Sequence, residues 1–282
     1  MRATVLVSLF SALGAIAAPA TTQVLTPKGY RSASNAVEVP AGGKIVHVND
    51  TNLHVLDAEG TVVHVASKAA TATSSAVAPE ETGWVAFASW LNTGAAIGSF
   101  KATWSVPPAP ANFDGQTLFL FNSIEPATFD AIMQPVLQYG GSAAGGGEYW
   151  AVANWYLYGD NTFFTTPVEV SVGQQLVGEV QLVGTSGSTY NYNSAFTNLD
   201  ITSLTVDGGE ELQWATITLE TYSTTSSSDY PTGSTVFSAI NLELSNGQFP
   251  SIDWAVQSDP SDGITTTVNV EGSTSAEITI TY

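Results

Sequence analysis

The chain has 282 residues, 44% hydrophobic, 10% aromatic and only 11% charged, with 25 Gly, 13 Pro and no Cys. That length can bury one substantial core, and the lack of Cys excludes thiol catalysis, thiolate zinc sites and disulfide scaffolds together. The formal charge of −19 is unevenly placed, because residues 81–282 hold 20 acidic residues, the single cation Lys101 and no His. A surface that tracks nucleic-acid phosphates needs Lys and Arg that are missing there, and an anionic membrane would repel this one. A Ser-His-Asp triad and a His-ligated zinc are excluded from that stretch as well. No metal or other cofactor is expected, and acid–base chemistry falls to carboxyls, helped by Tyr, Ser, Thr, Asn and Gln.

The chain opens with Arg2 before an apolar run over residues 5–13, followed by small residues with Ala15-Ile16-Ala17 as a cleavage site. This is the pattern of a secretory signal peptide over residues 1–17, too short to span a membrane, so a secreted, extracellular protein is expected. Residues 18–80 hold four of the six Lys and Arg and all three His, at 47, 54 and 64. Two alternating runs, 44–48 and 61–65, a sequon at Asn49-Asp50-Thr51 and a small-residue linker over 69–76 fall here. Ahead of so acidic a domain, this small basic leader is expected to dock electrostatically, as a removable propeptide does; a β-module that stays attached is the other reading.

From residue 84 onward the pattern is strand after strand, with period-2 alternation and turn residues between. Strands are predicted near 84–91, 97–106, 117–124, 131–139, 149–158, 167–172, 175–182, 189–196, 201–206, 212–222, 235–243, 252–257, 265–270 and 276–282. Turn chemistry separates them at Asp114-Gly115, Gly159-Asp160-Asn161, Asp207-Gly208, Asn246-Gly247 and Asp262-Gly263. No sustained helical period occurs, so residues 81–282 are expected to form one all-β sandwich of two large antiparallel sheets.

Three strands put polar and aromatic residues on one face. Over 212–222 the even positions give Trp214, Thr216, Thr218, Glu220 and Tyr222, against the apolar Ala215, Ile217 and Leu219. Over 148–158 one parity gives Glu148, Trp150, Val152, Asn154, Tyr156 and Tyr158, leaving Tyr149, Ala151, Ala153, Trp155 and Leu157 as the expected core side. Gln134 and Gln138 share a face on the third strand, where Pro135 predicts an edge or a bulge. Together these faces read as a binding floor, with Gln138, Trp150, Tyr156, Tyr158 and Trp214 as candidate substrate contacts.

Several landmarks resemble the eqolisins, a family of secreted glutamic peptidases. Trp104-Ser105-Val106-Pro107, Ala131-Ile132-Met133-Gln134, Glu148-Tyr149-Trp150 with Trp155-Tyr156, the run from Val170 to Leu176 and Leu219-Glu220-Thr221-Tyr222 follow the family's order over about residues 84 to 225. The resemblance implies a concanavalin-like jelly roll, a removed basic propeptide and acid-active endopeptidase chemistry. It assigns Gln134 and Glu220 as a catalytic dyad, with Gln138 a same-face substitute for Gln134. Aligned on Trp214 instead, the family's acidic positions fall on Gln213 and Ile217, and its W-V-G-I-D-G segment is replaced by Phe119-Leu120-Phe121-Asn122-Ser123-Ile124-Glu125.

In such a dyad the carboxylate takes a proton from the attacking water and returns it to the leaving amine, while the amide donates to the developing oxyanion. The first functional expectation is thus a monomeric acid endopeptidase acting on protein or peptide substrates. The alternative is a non-catalytic sandwich that binds glycan or cell wall through the aromatic face. A glycosidase ranks third, since no strand offers a suitably spaced pair of acids.

Overall fold

Residues 22–68, 83–201 and 203–282 are described in a computed structural model of the chain. The expected signal peptide and the small-residue linker lie outside them. Alternation along the acidic stretch does what period-2 patterning dictates, giving a front sheet and a back sheet packed face to face. The front sheet runs Ala255–Gln257, Trp84–Leu91, Trp214–Tyr222, Thr117–Glu125, Ala131–Ser142, Gly145–Tyr158, Asn161–Phe164 and Ala36–Glu38 in spatial order, with Val168–Glu169 also paired to Gly145–Tyr158. The back sheet runs Thr265–Val270, Thr274–Thr281, Ser234–Leu244, Ile97–Ser105, Gln175–Ser186, Thr189–Phe196, Leu204–Gly209, Lys44–Asn49, Asn52–Leu56 and Val62–Ser67. Between them lies one apolar core, with Leu118, Leu120, Met133, Leu137, Ile217 and Leu219 meeting Phe100, Trp104, Leu176, Val180 and Phe237.

Two departures from the expected sandwich matter for the site. Pro135 stands at the middle of a twelve-residue interior strand, not at an edge. Its missing N–H coincides with a gap in the ladder toward Thr117–Glu125, where pairing is interrupted between Met133 and Val136. The ring points into the core above Gly178, where a Cβ would lie 2.8 Å from the proline Cγ and 2.6 Å from Asn122 Oδ1.

The second departure is the leader, which is woven into both sheets. Ala36–Glu38 pairs in parallel with Asn161–Phe164, and Lys44–Asn49 pairs in parallel with Leu204–Gly209, which makes otherwise antiparallel sheets mixed. Val39, Ile45, Leu53 and Val55 of the leader are almost wholly buried and belong to the same apolar core as the domain. Net charge is not what docks it, since its four Lys and Arg are outnumbered by Glu38, Asp50, Asp57, Glu59 and Glu80. The three ion pairs among the described residues each join a leader lysine to a domain acid: Lys28 to Glu125, Lys44 to Asp207 and Lys68 to Asp130.

Truncating Leu53 to Ala should destabilise the full chain by about 2–5 kcal/mol, the usual cost of a cavity in a shared core. Urea unfolding followed by tryptophan fluorescence measures it. An unchanged main transition would show that the leader is energetically separate.

Candidate functional site

Cross-strand register fixes which side chains share the outer face of the front sheet. Glu220 pairs with Phe119, Thr218 with Phe121, Thr216 with Ser123 and Trp214 with Glu125. Phe119 in turn pairs with Gln138 and Phe121 with Val136. Gln134 pairs with Trp155, Val136 with Ala153 and Gln138 with Ala151. Paired residues point to the same side of a sheet, so Gln134, Gln138, Trp214 and Glu220 stand on one face, as the sequence suggested.

Trp150, Tyr156 and Tyr158 do not join them. They point to the sandwich interior and are packed in the main core, while Ala153, Trp155 and Leu157 line the outer face. The expected parity of this strand is therefore reversed, because both of its faces are covered and polarity alone does not tell them apart. The two tyrosines hold the leader instead. Tyr156 Oη and His47 Nε2 are 2.8 Å apart, and Tyr158 Oη donates to the Asp50 carbonyl at 2.7 Å. The His47 ring meets Tyr158 edge-on at 4.7 Å, and burial, aided by Lys68, pulls its pKa down to about 4.

The outer face is covered by the start of the chain. Gln23–Thr26 and Gly29–Ser32 form a separate two-stranded hairpin, with Leu25 joining the apolar cluster of the outer face that includes Phe119, Phe121, Trp155 and Trp214. The Ala143 N–H donates to the Leu25 carbonyl at 2.7 Å and fixes the hairpin against the sheet. At its tip Pro27 precedes Lys28, whose φ of 84° is the left-handed geometry that the third position of a type II turn requires.

That tip lands on Glu220. Its Oε1 accepts the Lys28 backbone N–H at 2.5 Å and the Tyr222 hydroxyl at 2.5 Å. Glu220 is wholly buried, and burial raises its pKa to about 7 against the pull of Tyr222 and the Lys28 N–H. Burial together with the Glu220 charge lifts the Tyr222 hydroxyl far above its ordinary range, so it remains a donor.

Other polar atoms on this face have no partner among the described residues. Both Gln134 side-chain atoms, Glu220 Oε2 and Trp155 Nε1 are buried without a hydrogen bond. Each such atom costs about 1–3 kcal/mol when desolvated and unmatched. Gln138 differs, since its amide donates to the Gly140 and Gly145 carbonyls at 2.7 and 2.8 Å and its oxygen accepts from Ser142 at 2.8 Å. Gln138 lies in the same row as Glu220, two strand spacings or about 10 Å away across Phe119. Gln134 stands four residues further along its strand, about 13 Å from Gln138. The register thus sets the tied amide level with Glu220 and the free amide diagonally from it.

Sequence reading missed Glu125, the last residue of its strand. It is buried on the same face, with a pKa raised by burial to about 7 despite Lys28. Its signal was parity with Phe119 and Phe121. Among the described residues no cluster of His, Cys, Asp and Glu could hold a metal ion, and no helix is long and apolar enough to cross a membrane.

No protein-family profile matches the chain, nor does any curated protein. Among solved structures, scytalido-glutamic peptidase with a peptide-based transition-state analog has a TM-score of 0.50 at 17% identity, over 72% of this chain and 98% of that one. SCP-B, a member of the eqolisin family in complex with the tripeptide Ala-Ile-His, has a TM-score of 0.48 at 17% identity over the same shares. The likeness is one of fold: an all-β sandwich related distantly to the eqolisin architecture.

Because the native state keeps the Glu220 proton up to about pH 7 while the unfolded chain loses it near 4.5, wild type should lose stability as pH rises between those values. Relative to Glu220→Gln the loss should be on the order of 3 kcal/mol between pH 4.5 and 8. Urea unfolding of both proteins across that range measures it. Parallel profiles would contradict the buried, protonated carboxyl.

Proposed function

We propose that this protein is a secreted acid endopeptidase of the glutamic type, held latent by its own N-terminal hairpin. The observation that carries the reading is the backbone N–H of Lys28 lying on the buried Glu220, with the Gln138 amide level with it across Phe119. A peptide segment therefore already occupies the ground where a substrate chain would lie.

With the hairpin displaced, water reaches Glu220 and its pKa returns toward the ordinary carboxylate range, leaving an ionised base under mildly acid conditions. The carboxylate takes a proton from water as the water oxygen attacks the scissile carbonyl carbon. The Gln138 amide, level with Glu220 across Phe119, donates to the oxygen that becomes negative, a contribution worth about 3 kcal/mol for a well-placed donor. Glu220 then passes its proton to the leaving nitrogen, the C–N bond breaks, and an acid and an amine depart. Gln134 lies roughly 16 Å from Glu220 by strand spacing and register, too far for both to touch one carbonyl. In the covered state the Gln138 amide donates to the Gly140 and Gly145 carbonyls, and one of these contacts gives way to the substrate oxygen.

The glycan alternative loses its floor, since Trp150, Tyr156 and Tyr158 are interior and 5% exposed or less. Protein or peptide is the favoured substrate class.

Hydrolysis of denatured casein at about pH 5, above the ordinary carboxyl pKa, by the full chain carrying Leu25→Asp, which unseats the hairpin without altering a sheet residue, tests the reading. Cleavage should exceed that of the intact chain. It should fall at least a hundredfold in the same background with Glu220→Gln, and by about 10²–10³ with Gln138→Ala. An inactive but folded Leu25→Asp protein, or activity that survives Glu220→Gln, would overturn it.

A further inference from the structure

We propose that the outer face carries a subsite for a lysine side chain, formed by the Glu125 carboxylate and the main-chain carbonyl of Phe129 and filled in this chain by Lys28. The inference rests on the reading that this face receives peptide substrates, and it names the residue type that they present beside Glu220.

The site is built on both sides. Lys28 Nζ donates to the Phe129 carbonyl at 2.8 Å and lies 3.7 Å from Glu125 Oε2. The lysine side chain is 9% exposed and the glutamate 2%, so this is a buried pair rather than a surface contact of little consequence. Phe129 closes a turn by donating its N–H to the Pro126 carbonyl at 3.0 Å, and its φ of 55° is unusual for a bulky residue. Its ring packs edge-on against Trp214 at 5.2 Å, which holds the carbonyl in place.

The occupant also pays attention to side chain over backbone. Lys28 sits at φ 84°, where Gly or Asn is favoured, so the contacts of its side chain and its N–H offset a backbone strain that Gly would avoid. The same residue places its amide on Glu220 and its ammonium on Glu125. A substrate lysine in that position would therefore lie at or next to the bond being cleaved. One carboxylate and one carbonyl suit a compact ammonium, whereas the planar five-donor guanidinium of Arg calls for paired acceptors. An apolar side chain of equal length would leave Glu125 buried without a partner.

The test uses the full chain with Leu25→Asp and two peptides spanning residues 22–32, one with lysine and one with norleucine at position 28. Binding is read by tryptophan fluorescence at pH 8. The lysine peptide should bind at least tenfold tighter, and Glu125→Gln in that background should reduce it to the norleucine level. Equal affinities, binding of neither peptide, or a preference that survives Glu125→Gln would overturn the subsite. Should Leu25→Asp fail to fold, hydrogen exchange at the Ala143 amide of the otherwise unaltered chain decides. Lys28→Met and Glu125→Gln should each speed that exchange at least tenfold and the double variant no further, whereas unchanged exchange would overturn the proposal. The two readings fail separately: lysine preference without casein hydrolysis removes the peptidase and keeps the subsite, and hydrolysis without preference does the reverse.

Discussion

A carboxyl withdrawn from water must be neutralised or given donors, and Glu220 is given both through the start of its own chain. The Lys28 N–H and the Tyr222 hydroxyl meet one oxygen, burial favours the protonated form, and Leu25 seals the apolar ground beside them. The outer face of the front sheet would otherwise be an open floor of aromatic rings with the unmatched Gln134 amide. In the structure the N-terminal hairpin lies over it.

The cover is attached in two unlike ways. The hairpin is a separate two-stranded unit, while the strands after it supply Ile45, Leu53 and Val55 to the shared core. Losing the hairpin uncovers the candidate site, but losing everything before residue 83 would also uncover the core between the sheets. Acid acts on these attachments in opposite senses. Protonation favours the covered form of Glu220, whose pKa is raised, and disfavours the docked form of His47, whose pKa is lowered. Acidity by itself therefore does not unseat the hairpin from Glu220, and opening the site calls for displacement or cleavage of the hairpin.

Much of the sandwich was legible in the sequence because alternation and turn residues are local signals. The strand Trp214–Tyr222 shows why it worked: Ala215, Ile217 and Leu219 point inward and Glu220 outward, as their polarity demands. The strand Gly145–Tyr158 shows where it failed, since Trp155 and Tyr156 are both buried, one under the hairpin side and one against the leader. Pro135 predicted an interruption but not its place, because the ladder gap falls on one neighbour only. Glu125 and Lys28 were invisible as a pair, being 97 positions apart and joined only by the path of the leader.

The most direct test is the titration of the Glu220 carboxyl itself, followed by carbon NMR of selectively labelled glutamate with Glu220→Gln to assign the signal. In the intact chain its pKa should lie at about 7, and in the full chain with Leu25→Asp it should move down toward the ordinary value near 4.3. An unshifted carboxyl in the intact chain, or the same value in both proteins, would contradict a site closed by the hairpin.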